Sequence, residues 1–264
     1  MGSKVNSQNE TNNWHFGFRA GLDFNSSPPG VINNGSMYIS EGCSSISDPS
    51  GNLLFYTSGD TIWNQQHNVM ANGTGLFGNM SPCQSSMIVK QPGNSTVYYV
   101  FTVQGAGGAG GLTFSTVDMS MAAGMGSVTI KNNTLYPSPV TEKITATKHC
   151  NGVDYWILIH ESQNNNFRSY LLTSAGVNSV AVVTSIGSVC NGLNFFLGYL
   201  KFSPNGKKVG ASSATPSFCE LYDFDSSTGI LSNSLTLATG TQFQGIEFSP
   251  DGTKFYCSFV YSIR

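Results

Sequence analysis

The stretch KFSPNGKKV at positions 201–209 returns as EFSPDGTKF at positions 247–255. Each copy places a phenylalanine before a Pro-Asn-Gly or Pro-Asp-Gly turn, because proline fixes one backbone angle and Asn-Gly or Asp-Gly accepts a positive φ. The residues after each glycine resume a strand, so each copy predicts a β-hairpin. The copies start 46 residues apart, which is typical of propeller-blade repeats.

Three other stretches show the same pattern, a glycine turn followed by β-branched and aromatic residues. Each unit continues into a second hairpin, which gives four antiparallel strands per unit. The repeats therefore predict an all-β fold, a β-propeller of four-stranded antiparallel blades with about five blades present and the last one incomplete. The glycines expected at equivalent turns are Gly51, Gly93, Gly152, Gly206 and Gly252.

The composition excludes several kinds of partner. Charged residues make up 10% of the 264-residue chain and its net charge is −2, so no basic surface for nucleic acid is predicted. No stretch reaches the ~18 apolar residues of a membrane span, and no membrane insertion is expected. The opening MGSKVNSQNETNN has no apolar core, so no signal peptide is expected within it.

Six cysteines are spread along the chain without any C-x-x-C pair, which argues against a zinc ribbon or a thioredoxin-type site. Their even number permits up to three disulfides in an oxidising compartment, although a domain with a large core does not require them. The sequence does not decide between free or buried thiols and at least one disulfide. The spacing of the cysteines also does not give the connectivity. The six are Cys43, Cys83, Cys150, Cys190, Cys219 and Cys257.

Most of the chain from Trp14 onward resembles a known family. The stretches that carry the resemblance are WHFGFRAGLDFNSSPPG (14–30), EGCSSISDPSGNLLFYTSGDTIWNQQHNVMANGTGLFGN (41–79) and SSMIVKQPGNSTVYYVFTV (85–103). KHCNGVDYWILIHE (148–161) and GYLKFSPNGKKV (198–209) also fit. Together they are similar to the N-terminal propeller of the gliding-motility-associated surface proteins of Bacteroidetes, which carry a type B sorting domain and are exported by type IX secretion.

The resemblance implies a location and an architecture. It implies a secreted or cell-surface protein, further domains in a larger parent chain, and about seven blades in the full propeller, so the chain is expected to be truncated within the ring. On this basis residues 14–264 form one incomplete propeller domain, and residues 1–13 are disordered or were added for expression. Residues 247–264 are then expected to end in an open strand edge, which favours association between chains.

The sequence predicts no catalytic residues, no metal site and no cofactor. His149 and the pair His160 and Glu161 bracket one predicted hairpin and could face each other, which with a further ligand would suit zinc. We predict instead that they cap the hairpin through backbone hydrogen bonds. No G-x-S-x-G elbow or Ser-His-Asp set is recognisable, and the carboxylates that can be placed lie at turn or surface positions.

The residues predicted to bind a ligand are aromatics and amides in loops, because propellers bind at one end where loops converge. Ordinary turn-forming and core-packing roles are the alternative for each of them. The predicted set is Trp63, Asn64, His67, Phe77, Gln163, Asn164, Asn165 and Asn166. Thr61, in an Asp-Thr-Ile context, matches the short pattern at which Bacteroidetes attach O-glycans.

These observations predict a non-catalytic binding or adhesion module that is secreted or displayed on a cell surface. Its partner would be a glycan or a surface protein. Two other functions stay open, namely a propeller enzyme acting on polysaccharide as a lyase or hydrolase, and a purely structural spacer within a large surface protein.

Overall fold

The computed structural model describes residues 9–79, 81–104, 108, 110–191, 197–240 and 242–259. In these ranges the chain forms 22 strands and two short 3₁₀ turns, Asn9–Thr11 and Ala122–Gly124. No helix among them is long and apolar enough to cross a membrane. The strands are β1 (Asn13–Phe16), β2 (Ala20–Asp23), β3 (Gly30–Ile32), β4 (Ser44–Ser47), β5 (Leu53–Thr57), β6 (Thr61–Asn64), β7 (Val69–Thr74), β8 (Ser86–Lys90), β9 (Val97–Val103), β10 (Leu112–Asp118), β11 (Ser127–Tyr136), β12 (Val140–Lys148), β13 (Tyr155–Glu161), β14 (Asn166–Thr173), β15 (Gly176–Val177), β16 (Val182–Ser185), β17 (Leu200–Phe202), β18 (Lys208–Ala214), β19 (Ser217–Asp225), β20 (Ile230–Thr239), β21 (Phe243–Phe248) and β22 (Phe255–Phe259).

The strands form antiparallel units in chain order. Strands β4–β7, β8–β11 and β17–β20 are four-stranded units, and β12–β14 are completed by the short strands β15 and β16. The first two of these units join into one eight-stranded sheet through a single parallel bridge between Ala71 and Ser127 of their outer strands. The first strands β4, β8, β12, β17 and β21 contact one another in succession, which is the radial arrangement of a β-propeller.

The five repeated glycines lie at equivalent turns, as the sequence predicted. Each one stands between the first and second strands of its unit and has a positive φ, from +68° at Gly93 and Gly206 to +89° at Gly51. The five turns therefore lie at the same end of the propeller. We call this end the hairpin end, and the other the opposite end.

At Gly152 the energetic cost of a positive φ can be measured separately from steric clashes with neighbouring residues. The φ of Gly152 is +74°, and a Cβ built there would meet nothing within 4 Å. We expect Gly152→Ala to destabilise the protein by about 1–2 kcal/mol, because a Cβ disfavours the left-handed region without any clash with neighbours. Gly152→Asn should cost less, since asparagine tolerates that region. Urea unfolding of the three proteins measures both values, and equal losses for the two variants would contradict this explanation.

A three-stranded sheet, β1–β3, precedes the first repeat. Strand β1 lies against β4 and starts at the hairpin end, where the Asn13 side chain donates hydrogen bonds to Ser47 Oγ (3.0 Å) and to the Gly51 carbonyl (2.7 Å). It therefore runs opposite to the first strands, and β1–β3 correspond to the second to fourth strands of a unit. The repeated hairpin phrase is missing here because the described residues of this sheet do not include a first strand.

The predicted boundary at Trp14 lies too late in the chain. Asn9–Thr11 form a 3₁₀ turn and Asn13 begins β1. The Asn9 side chain donates a hydrogen bond to the Pro49 carbonyl. Residues 9–13 thus pack on the domain, while residues 1–8 lie outside the described ranges.

The last unit consists of β21 and β22. Cys257 of β22 forms a disulfide with Cys219 of β19, whereas Cys43, Cys83, Cys150 and Cys190 are free. The disulfide therefore fastens the last described strand to the preceding unit. The predicted open edge extends into residues 260–264, which lie outside the described ranges, so the association of chains stays a prediction.

The units pack through apolar side chains and through polar links, of which Gln84 makes one. One cluster of buried residues, which includes Phe101, Ile144 and Ile157, joins the unit of β8–β11 to that of β12–β14. The Gln84 side chain crosses between inner strands: its Oε1 accepts hydrogen bonds from the backbone nitrogens of Leu200 (2.8 Å) and Ile144 (3.3 Å). Its Nε2 donates to the Leu200 carbonyl (3.0 Å).

Candidate functional site

A cavity of about 740 Å³ opens among the inner strands at the hairpin end. Its walls come from β4, β8, β12 and β17 and from the turns that follow them. Because each wall belongs to a different unit, the cavity is formed by the ring and by no single repeat. We call it the hairpin-end cavity.

The hairpin-end cavity combines aromatic and charged groups. Lys90 Nζ lies 5.8 Å from the centre of the Tyr98 ring, and Lys148 and Glu10 also line the wall. Burial, followed by the charge of Glu10, raises the pKa of Tyr155. Burial and the charges of Asp48 and Glu10 do the same for Tyr98. Both phenols therefore stay neutral hydrogen-bond donors at neutral pH.

A second group of side chains lies at the opposite end of the propeller. Glu41 precedes β4, Cys83 precedes β8 and Glu142 lies near the start of β12. One ligand atom from each lies within 4.8 Å of the other two. Glu142 and Cys83 are buried, at 0% and 4% exposed, whereas Glu41 is exposed. The sequence predicts no metal site, yet these residue types could hold a metal ion.

A buried thiol, amine and imidazole lie together nearby on β12, β13 and the segment after β16. Lys143 Nζ donates a hydrogen bond to Cys190 Sγ at 3.3 Å. Burial alone would raise the pKa of Cys190, but the charges of Lys143 and His160 outweigh it and lower the pKa to about 6. His160 Nδ1 donates to the Glu161 carbonyl (2.5 Å), while its Nε2 is buried and has no hydrogen-bond partner among the described residues. Cys190 is completely buried, so a bulky substrate cannot reach this thiol.

The predicted residues Trp63, Asn64 and His67 lie near the turn between β6 and β7, which is at the hairpin end. Trp63 is half-buried and stacks on Tyr56 with ring centres 5.5 Å apart. Asn64 is buried, and its Oδ1 accepts backbone hydrogen bonds from two residues of the turn. His67 has a φ of +63°, and its Nδ1 accepts a hydrogen bond from the Tyr56 hydroxyl at 3.1 Å. All three therefore have turn or packing roles.

The predicted residues Phe77 and Thr61 differ in exposure. Phe77 is 45% exposed and follows β7, so it lies at the opposite end. Thr61 begins β6, is half-buried, and its carbonyl accepts a hydrogen bond from Thr57 Oγ1 at 2.8 Å. Modification of Thr61 stays a prediction.

The predicted amide turn of residues 163–166 is organised around Glu161. The side chains of Asn164 and Asn166 donate to Glu161 Oε2 at 2.7 Å and 3.2 Å. Glu161 Oε1 accepts a hydrogen bond from Arg168. The backbone nitrogen of Gln163 donates to the Cys190 carbonyl, and the Asn165 side chain donates to the Gly187 carbonyl at 3.3 Å. These amides therefore hold the turn in shape, and they lie at the end opposite to Trp63, so the predicted set cannot form one site.

His149 and His160 do not face each other, contrary to one possibility left open by the sequence. His149 lies in the turn between β12 and β13, at the hairpin end, whereas His160 lies near the end of β13, at the opposite end. His149 Nδ1 accepts a hydrogen bond from the Asn151 backbone at 3.1 Å, which agrees with the predicted turn role.

Five residues of these groups were not predicted from the sequence: Glu41, Lys90, Glu142, Lys143 and Lys148. Lys90 and Lys148 end the first strands of their units, directly before the glycine turns at Gly93 and Gly152. This recurring position was the signal that could have placed them at the cavity. Glu41 and Glu142 carry no such signal, because their proximity arises only when two distant units pack together.

No protein-family model and no curated protein matches the chain. Among solved structures it is similar to Hsv2 of Kluyveromyces lactis, at 9% identity and a TM-score of 0.51, over 95% of this chain and 69% of that one. A putative 6-phosphogluconolactonase from Bacteroides uniformis matches at 13% identity and 0.49, over 92% and 71%. A protein from Lactobacillus plantarum matches at 14% identity and 0.49, over 90% and 70%. At 9% identity the likeness to Hsv2 shows the fold alone: the chain is a β-propeller-like protein.

Proposed function

We propose that the protein is a non-catalytic binding module, secreted or displayed on a cell surface, that holds an acidic glycan in the hairpin-end cavity. The full ring would contain about seven blades, of which about five are present here. The observation that carries the proposal is the cavity of about 740 Å³, whose wall combines two lysines with two buried or half-buried tyrosines. Location and blade number rest on the family resemblance.

The chemistry of the cavity favours a sugar acid. Ligand sites combine apolar and aromatic walls with a few convergent polar groups. Lys90 and Lys148 offer charge-assisted hydrogen bonds to carboxylates, and neutral tyrosine hydroxyls suit sugar hydroxyls. Among the predicted loop amides, the side chains of Asn64, Asn164, Asn165 and Asn166 already make hydrogen bonds within the protein, so the inner wall is the better candidate.

Binding of uronic-acid oligosaccharides to the immobilised chain tests the proposal. We expect binding of the acidic oligosaccharides and weak or no binding of neutral ones of the same length. The double variant Lys90→Ala/Lys148→Ala should bind about tenfold or more weakly, since hydrogen bonds to charged groups contribute about 1.5–3 kcal/mol each. Lys131→Ala is the matched control, because Lys131 bonds the Thr74 carbonyl on an outer strand.

The outcomes separate the three functions. Equal binding by the Lys90/Lys148 variant and the wild type would place the ligand elsewhere and contradict the proposal. Shortened oligosaccharides, detected by mass spectrometry after incubation, would favour the polysaccharide lyase or hydrolase. Absence of binding by any acidic glycan would contradict the proposal and favour a surface-protein ligand or a structural spacer.

A further inference from the structure

The group of Glu41, Cys83 and Glu142 is built by close backbone packing at the opposite end. The Gly42 nitrogen donates to the Pro82 carbonyl at 3.0 Å. A Cβ at Gly42 would lie 2.4 Å from the Ser85 nitrogen, so only glycine permits this approach. It brings Glu41 beside Cys83, and the Cys83 nitrogen in turn donates to Glu142 Oε2 at 2.9 Å.

The sulfur atom of Cys83 is oriented by donors from other units. Gln244 Nε2 donates to Cys83 Sγ at 3.4 Å, and the Gly198 backbone also donates to this thiol. The sulfur atom also lies within 4.8 Å of one carboxylate oxygen of Glu41 and one of Glu142. Supporting donors of this kind are typical of the groups that orient metal ligands.

The charges of the group repel one another. Burial raises the pKa of Cys83, and the charges of Glu142 and Glu41 raise it further. Burial and the charge of Glu142 also raise the pKa of Glu41. A bound dication reverses this balance, because it stabilises the deprotonated form of each ligand.

We propose that Glu41, Cys83 and Glu142 form a three-ligand site for a divalent transition-metal ion of the Zn²⁺ type. A thiolate with two carboxylates suits Zn²⁺, whereas Mg²⁺ and Ca²⁺ take oxygen ligands. Three protein ligands leave a fourth position for water, on the side where Glu41 is exposed. Metal–ligand distances of about 2.0–2.3 Å require ligand atoms roughly 3.3–3.5 Å apart, and the exposed Glu41 side chain can make that closing movement.

Binding displaces a proton and changes no oxidation state. The Cys83 thiol forms a sulfur–metal bond, its S–H bond breaks, and the proton passes to water.

Titration of the full chain with Co²⁺, used in place of Zn²⁺, tests the site. We expect a sulfur-to-cobalt charge-transfer band at one equivalent, which Zn²⁺ abolishes by displacing the cobalt. The band should be absent in Cys83→Ser. Gln244→Leu should weaken Co²⁺ binding about tenfold or more, as loss of a supporting partner does in other metal sites. Cys150→Ser is the matched control, since Cys150 is exposed at the hairpin end.

Glu41→Gln keeps the proposal testable if the buried variants fail to fold. Its side chain is exposed, so the variant should fold, and we expect Co²⁺ affinity to fall about tenfold or more while the band keeps its thiolate character. A band that persists in Cys83→Ser, that disappears in Cys150→Ser, or that never forms in the wild type would overturn the proposal. Glycan binding through the hairpin-end cavity is a separate measurement, so the two proposals fail independently.

Discussion

Acidification from pH 6.5 to pH 4 should lower the free energy of unfolding by roughly 3 kcal/mol through the protonation of His15 alone. Burial, with a smaller contribution from the charge of His67, lowers the pKa of His15 from 6.5 to about 4. The unfolded chain therefore binds this proton first, and the stabilisation is fully present above pH 6.5 and is lost as pH falls through 4. The pKa of His15 is about 2.5 lower in the folded than in the unfolded chain, and at 1.36 kcal/mol for each unit this difference gives a loss of about 3 kcal/mol.

The environment of His15 explains why the imidazole stays neutral. The side chain is 4% exposed, and neither ring nitrogen has a hydrogen-bond partner in the described structure. Its ring stacks on Tyr56 with centres 4.2 Å apart and lies 5.5 Å from the His67 ring. A proton on His15 would thus be buried without compensation.

Urea unfolding between pH 4 and pH 7 measures the effect. His15→Phe keeps an aromatic ring against Tyr56 and should lose about 3 kcal/mol less than the wild type on acidification. His149→Gln, at a turn, is the matched control and should follow the wild-type curve. The same acid sensitivity in His15→Phe and in the wild type would assign the effect to other groups.

Glu161→Ala should destabilise the protein by about 3–5 kcal/mol, because it leaves a buried hydrogen-bonding network without its centre. Burial alone would raise the pKa of Glu161, but the hydrogen bonds of Asn164 and Asn166 and the charge of Arg168 lower it. The Glu161 side chain is 4% exposed. The Arg168 guanidinium also lies 4.3 Å from the Tyr136 ring.

An exposed ion pair supplies the control. Lys201 Nζ lies 2.8 Å from Glu247 Oε2, and the Glu247 side chain is 61% exposed. Glu247→Ala should therefore lower the free energy of unfolding by only about 0–1 kcal/mol. The double variant Glu161→Ala/Arg168→Met should recover part of the loss, because no uncompensated charge stays buried. Equal effects of Glu161→Ala and Glu247→Ala in chemical unfolding would show that the network adds nothing beyond a surface pair.

The repeated part of the fold could be predicted from sequence because its hairpins are local. Each of the five repeated turns needs a residue with a positive φ. A glycine followed by strand residues indicates such a turn in the sequence. The five glycines are Gly51, Gly93, Gly152, Gly206 and Gly252. The sheet β1–β3 lacks such a turn between a first and a second strand. Its position follows from long-range hydrogen bonds of Asn13, which leave no pattern in the neighbouring sequence.

The candidate sites were less predictable than the fold. Loop aromatics and amides look available in the sequence, yet Asn64 bonds its own turn and Asn164 bonds Glu161. Conversely, Glu41 and Glu142 are 101 positions apart and meet only because two units pack together. A site formed between repeats depends on this packing, and one repeat read alone cannot show it.

The hydrogen bonds of the Gln84 side chain also indicate the order in which parts of the fold form. This side chain bonds the Leu200 backbone across 116 positions of sequence, whereas each hairpin joins residues close together in the chain. Contacts between neighbours in sequence form quickly, and distant contacts must first overcome the entropy of closing a long loop. The blades can therefore take shape one by one, and the amide of Gln84 engages only when the units on either side of β12 have come together.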